Sequence, residues 1–210
     1  MILIPIASLV HVYLNRNRQG THVIKTFIDD MIPFNKYFSA PYQLMVVFIS
    51  IVLIFFAIVD YKYYFKLLLS VLMGMFICFI IFYFFPTTVT RPNVIGDDFF
   101  FNLTRSIYAT DNPYDCFPSI HVLSAYLPFL FIFKYNKSVI MKIYTFIGFI
   151  TITLSTFFIK QHYVLDAVAS IIIGTGLFVV LTNYKIWSKL PLKNTISLLV
   201  PSKLKNDIFT

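Results

Sequence analysis

Glutamate is missing from this chain altogether, and charge of either sign is scarce: 12% of the 210 residues are Asp, Lys or Arg. A soluble domain carries about 25% charged residues, so the shortage excludes an ordinary soluble fold. The net charge is +8, but its basic residues are dispersed among apolar runs. That excludes the clustered basic face of a nucleic-acid-binding protein. There are two cysteines. Cys78 lies in an apolar run and Cys116 in a polar loop, so their depths differ and a disulfide is not expected. No CxxC or Cys/His spacing is present, which removes the common metal motifs. The first 14 residues lack a basic start and a small-residue cleavage site, and are read as a retained span rather than a signal peptide. No internal repeat or low-complexity segment appears.

What remains is apolar: 59% hydrophobic, 19% aromatic, with a mean hydropathy of +0.80. A spanning helix needs about 20 mostly apolar residues. Six segments qualify, at 2–14, 42–59, 65–85, 119–133, 139–158 and 163–181, the first being the shortest. The expected fold is therefore all-α, an integral membrane bundle of six helices in one domain over 1–182. The remainder, 183–210, is a basic tail. Gly74, Gly148, Gly174 and Gly176 fall inside spans, where small residues allow close helix approach. Lys62 and Lys66, then Lys134, Lys137 and Lys142, then the tail lysines fall on one side, which should be cytoplasmic. The opposite, outer side receives the loop 86–118 and the turn at 160–162, so residues from both can meet there.

Ionisable residues at membrane depth default to a functional reading. Two of the four histidines sit at the polar ends of apolar runs. His121 closes Pro118-Ser119-Ile120-His121; His162 follows Ser155-Thr156 and precedes Asp166 by four residues. On a helix that spacing places His162 and Asp166 on one face. A carboxylate on one ring nitrogen sets the imidazole tautomer, which makes His162 a candidate nucleophile and His121 a candidate proton donor. Pro118-Ser119 reads as a helix start whose free N–H groups suit an anion. Arg91 offers a permanently charged fork. Ser155 and Thr156 have two readings, a hydroxyl bonded to its own helix or a phosphate contact. His11 and His22 have no partners in the sequence and are read as unrelated to the site. Asp97, Asp98, Asp111 and Asp115 fit no metal spacing, and no metal or other cofactor is expected. Arg105 is read as a loop arginine paired with Asp98 or Asp111.

These residues resemble the three motifs of the type 2 phosphatidic acid phosphatase (PAP2) superfamily: Lys, six residues, Arg-Pro; Pro-Ser-Gly-His; and Ser-Arg, five residues, His, three residues, Asp. Arg91-Pro92 matches the end of the first. The second matches at 118–121 except for Ile120. Ser155, His162 and Asp166 match the third, and the resemblance covers about 84–174. It implies His162 as the nucleophile forming a phosphohistidine, Asp166 orienting it and His121 protonating the leaving group. It implies Arg91, Ser119, Ile120, Ser155 and Thr156 around the phosphate, without a metal. Phe84 and Thr156 stand where the family has Lys and Arg. Lys160, and second Arg105, are the candidate replacements. The strings 116–121 and 161–163 are similar to the inositol phosphorylceramide synthase branch, which moves head groups between lipids. The expected partners are a lipid phosphate substrate and the bilayer of the cell membrane, with no nucleic acid. A non-enzymatic lipid-binding protein with a degenerate site is the remaining alternative.

Overall fold

The computed structural model describes residues 22–183 together with 9, 11–13, 15 and 16. The expected first span therefore lies mostly outside the described residues, as does the expected tail from residue 184 onward. From residue 22 to 183, eight α-helices follow in order: α1 (Phe27–Met31), α2 (Ser39–Gln43), α3 (Met45–Val59), α4 (Tyr61–Phe84), α5 (Phe99–Thr110), α6 (Ile120–Tyr135), α7 (Val139–Phe158) and α8 (Val164–Thr182). Among the described residues there is no named strand, only isolated bridges at His22–Thr87 and Thr88–Tyr114. Cys78 and Cys116 are both free and buried.

Among the described residues, four segments are long and apolar enough to cross a bilayer: Lys36–Val59 (which includes α2 and α3), Tyr61–Phe84, Val139–Phe158 and Val164–Thr182. They coincide with four of the expected spans. The expected span at 119–133 is α6, which has 16 residues. At about 1.5 Å per residue it is about 24 Å long, shorter than a hydrocarbon core of about 30 Å. Its position accounts for that. The helix packs against α3, α4, α7 and α8 and buries Val122, Leu123, Ala125, Leu127, Phe131 and Ile132. Neighbouring helices cover most of it, leaving Phe133 and Lys134 near its end exposed, so its length need not match the membrane.

The outer surface is apolar as well. Ile51, Ile54 and Ile58 of α3, Phe76 and Ile80 of α4, Ile140, Ile143 and Ile147 of α7, and Val168 and Ile172 of α8 are all exposed. So much exposed hydrocarbon on several helices marks a surface made for lipid. Sharp caps separate the elements. Asp60 alone links α3 to α4, accepting a bond from the Lys62 N–H at 3.0 Å. Asp98 caps α5 through the Phe100 and Phe101 N–H groups.

Not all the span glycines serve close packing. A Cβ on Gly148 would stand 2.1 Å from the Phe48 ring, so α7 touches α3 there. Gly176 faces open space, contrary to its expected packing role. Gly148→Val should lower the unfolding free energy in detergent by about 1–3 kcal/mol, the range for overpacking. Gly176→Ala should be neutral or raise it by up to about 1 kcal/mol from helix propensity. Melts of the two variants beside wild type measure both.

Candidate active site

Helix α7 ends at Phe158, and the chain turns sharply through Lys160, whose φ is +55°. A lysine rarely adopts that conformation. The turn is closed by two N–H groups, of Gln161 at 2.9 Å and His162 at 3.1 Å, both donating to the Thr156 carbonyl. The Lys160 ammonium reaches outward to the carbonyls of Asp29, at 3.1 Å, and Ile32. Asp29 in turn accepts a bond from the Val164 N–H at 2.8 Å. Helix α1 thus braces both sides of the turn that presents His162.

Within that turn His162 is 8% exposed and Asp166 fully buried. His162 Nδ1 lies 3.1 Å from Asp166 Oδ2 and 2.9 Å from the Cys116 carbonyl. Both neighbours only accept, so Nδ1 carries the proton and Nε2 keeps its lone pair. The same Oδ2 accepts from the Tyr163 N–H at 2.9 Å, where it caps the first turn of α8.

His121 comes from the first turn of α6. Ser119 caps that helix, its hydroxyl accepting from the Val122 N–H. The Ser119 N–H donates to the Asp166 carbonyl at 3.3 Å, and the Ser170 hydroxyl bonds to both the Ser119 and Asp166 carbonyls. These bonds fasten the start of α6 to the start of α8. The two imidazoles consequently stand with ring centroids 5.7 Å apart. His121 stacks on Tyr42 at 4.2 Å. The Tyr42 hydroxyl donates to Asp111 Oδ2 at 2.8 Å and sits 3.5 Å from His121 Nδ1. With its proton committed to Asp111, the hydroxyl presents a lone pair to the ring.

Arg91 is held from several sides. Its guanidinium donates to the carbonyls of Tyr108 and Asp111 and to Gln161 Oε1, and lies over the Tyr108 ring at 4.4 Å. Burial lowers its pKa, an effect the Asp111 carboxylate opposes, and an arginine remains charged at neutral pH. Burial also pushes the Tyr108 phenol up to about 12, so it stays a neutral donor to the Ile159 carbonyl at 2.6 Å.

A cavity of about 340 Å³ opens onto this arrangement. His121, His162, Ile120 and Gln161 line one side, with Met45, Met75 and Phe82 forming an apolar wall. Arg91, Ser119, Ser155, Thr156 and Lys160 do not line it. The Ser155 hydroxyl donates to the Ile152 carbonyl at 2.6 Å and that of Thr156 to the Thr153 carbonyl at 2.7 Å. Lys160 is bonded to α1, so the expected replacement cation is directed elsewhere. Arg105 pairs with Asp97 at 3.3 Å and not with Asp98 or Asp111. Arg91 reaches the cavity through two residues that line it, Gln161 and Asp111. The Nε2 of Gln161 is buried and has no hydrogen-bond partner among the described residues.

Three residues of the site escaped the sequence reading. Gln161 adjoins His162 and belongs to the 161–163 string, but nothing in the sequence assigned it a role of its own. Asp111 was one of several loop aspartates. Tyr42 was one of many aromatic residues in a span, with nothing local to separate it from packing.

A family model described as the PAP2 superfamily matches residues 9–180. Compared with curated proteins and with solved structures, the chain finds no match in either.

Lys160→Ala should lower the unfolding free energy by about 1–3 kcal/mol, the range for charge-assisted bonds lost from a partly buried site. It should leave oxyanion binding within about threefold of wild type. A melt and an orthovanadate titration separate this bracing role from a phosphate contact.

Proposed function

The chain belongs to the PAP2 superfamily, and we propose that it is an integral membrane phosphatase that hydrolyses a lipid phosphomonoester or pyrophosphate through a phosphohistidine on His162. The observation that carries this reading is the pair of acceptors on His162 Nδ1, which leaves Nε2 nucleophilic with a second imidazole beside it.

In this mechanism Nε2 bonds to phosphorus as the phosphorus–oxygen bond to the lipid breaks. The departing oxygen takes its electron pair and a proton from His121. Water then attacks phosphorus and returns a proton to His121, and the phosphorus–nitrogen pair reverts to Nε2. Asp166 stabilises the imidazolium character that develops on His162. Tyr42 supports the Nδ1–H of His121 and transmits the charge of Asp111 to it. Arg91 acts on the phosphoryl oxygens through the Gln161 amide. The N–H groups of Ile120 and His121 open α6 toward them. Ser119, Ser155 and Thr156 shape the backbone on which these groups sit.

The proposal includes a bundle of six helices: the four long spans, the enclosed α6 and an N-terminal helix. Its site faces outward across the cell membrane and its tail lies in the cytoplasm, as the lysine distribution favours. A second reading, closer to the inositol phosphorylceramide synthase branch, has a lipid or polyol hydroxyl in place of water. It is favoured by the hydroxyl-binding groups Asp111 and Asn112 on the cavity wall.

Purified protein in detergent should release phosphate from a lipid phosphate, with EDTA present or absent. His162→Ala should abolish release, and His121→Ala should reduce it by about 10²–10⁴-fold, the range for general acid catalysis. Full activity in His162→Ala would overturn the mechanism, and complete loss with EDTA would overturn its metal-free form. A panel of lipid donors with added acceptor alcohol, read by mass spectrometry, separates hydrolysis from transfer.

The rate of phosphate release should be bell-shaped in pH, because one imidazole acts unprotonated and the other protonated. A flat profile from about pH 5 to 9 would contradict the two roles.

A further inference from the structure

The charges that the sequence offers for holding a phosphoryl group are nearly all tied elsewhere. Arg91 donates to two carbonyls and to Gln161, Lys160 to the end of α1, and Arg105 to Asp97 and the Gly96 carbonyl. Equatorial phosphoryl oxygens need donors placed where charge develops, and the cavity wall must supply them. One wall residue with no assigned role is a third histidine.

His11 lines the same cavity as His121 and His162. It lies within electrostatic reach of His162, His121 and Asp111. Its ring contacts Phe82 at 5.9 Å, and its nitrogens make no hydrogen bond among the described residues. Three of the four histidines in the chain therefore border one cavity.

The placement of His11 is anchored. Residues 11–13, 15 and 16 are helical, so His11 and Asn15, four apart, share a helix face. Asn15 is 2% exposed. Its side-chain amide donates to the Asn112 carbonyl at 3.1 Å and the Tyr114 carbonyl at 2.8 Å. Its Oδ1 accepts from the Asn112 N–H at 2.8 Å, and its carbonyl from the Asn112 side chain at 3.2 Å. This clasp joins the N-terminal helix to the loop that carries Asp111, one turn from His11.

We propose that His11 is a phosphate-binding residue of the site, its imidazole N–H donating to a phosphoryl oxygen of the bound substrate. The role rests on the phosphatase or phosphotransferase reading of the cavity, and it supplies a donor that the tied arginines and Lys160 do not. It also makes the N-terminal helix part of the site, because the clasp at Asn15 sets where the third imidazole stands.

The test is binding of orthovanadate to the full chain in detergent, for wild type, His11→Phe, His11→Gln and His162→Ala. Phe keeps the ring packing against Phe82 and removes the donor; Gln restores an N–H. His11→Phe should weaken binding about ten- to hundredfold, the range for a hydrogen bond to a charged group. His11→Gln should recover to within about threefold. Wild-type affinity in His11→Phe, with binding lost in His162→Ala, would overturn the role of His11 alone. Equal losses in His11→Phe and His11→Gln would show that a restored N–H recovers nothing, and would overturn the donor role as well. Wild-type affinity in His162→Ala would remove the phosphate reading of the cavity, and the His11 role with it.

Discussion

The Asp166 carboxylate and its own backbone carbonyl hold the site together. One oxygen, Oδ2, meets both the Tyr163 N–H and His162 Nδ1. The carbonyl of the same residue meets the Ser119 N–H and the Ser170 hydroxyl. The groups that cap α8 and orient one imidazole thereby also fix where α6 begins, and with it the other imidazole. A buried carboxylate needs such company, because an unpaired charge away from water is costly. The stability of the helix starts and the geometry of the chemistry depend on the same few hydrogen bonds.

Around that junction the protein separates two kinds of apolar contact. The short α6 is enclosed by its neighbours, while the long helices turn hydrocarbon outward. An enclosed helix can end wherever its caps require. That freedom puts the first turn of α6 beside the turn after α7, so the polar residues lie at the ends of apolar elements and not midway along them. The two sharp supports, Lys160 on α1 and Asn15 on the Asn112–Tyr114 loop, use polar groups bonded to backbone carbonyls. Each holds an element that carries an imidazole toward the cavity.

Arg91 shows how strongly tertiary structure can redirect a charged residue. In the sequence it stands as a free cation awaiting an anion. In the fold its donors are divided among carbonyls and Gln161, and its influence passes through an amide. This arrangement keeps a full charge close to the cavity while a neutral group meets what enters. A similar logic links Asp111 to His121 through the Tyr42 hydroxyl.

The sequence alone determined the apolar character, four long spans, the break after α7 and the pairing of His162 with Asp166. Those features are local: they follow from run length, from turn chemistry and from a spacing of four on a helix. Tertiary structure decided which cations face the cavity, because Lys160 and Arg105 are claimed by backbone carbonyls and an aspartate that no spacing rule brings near them. It also brought in Tyr42, Asp111, Gln161 and His11. Tyr42 and His11 lie far from the motifs in the chain, and their signals, one aromatic among many and one histidine without a neighbour, carry no information until the helices pack. Hydrogen-bond partners are chosen by proximity in space, which local sequence patterns record only within a turn or two.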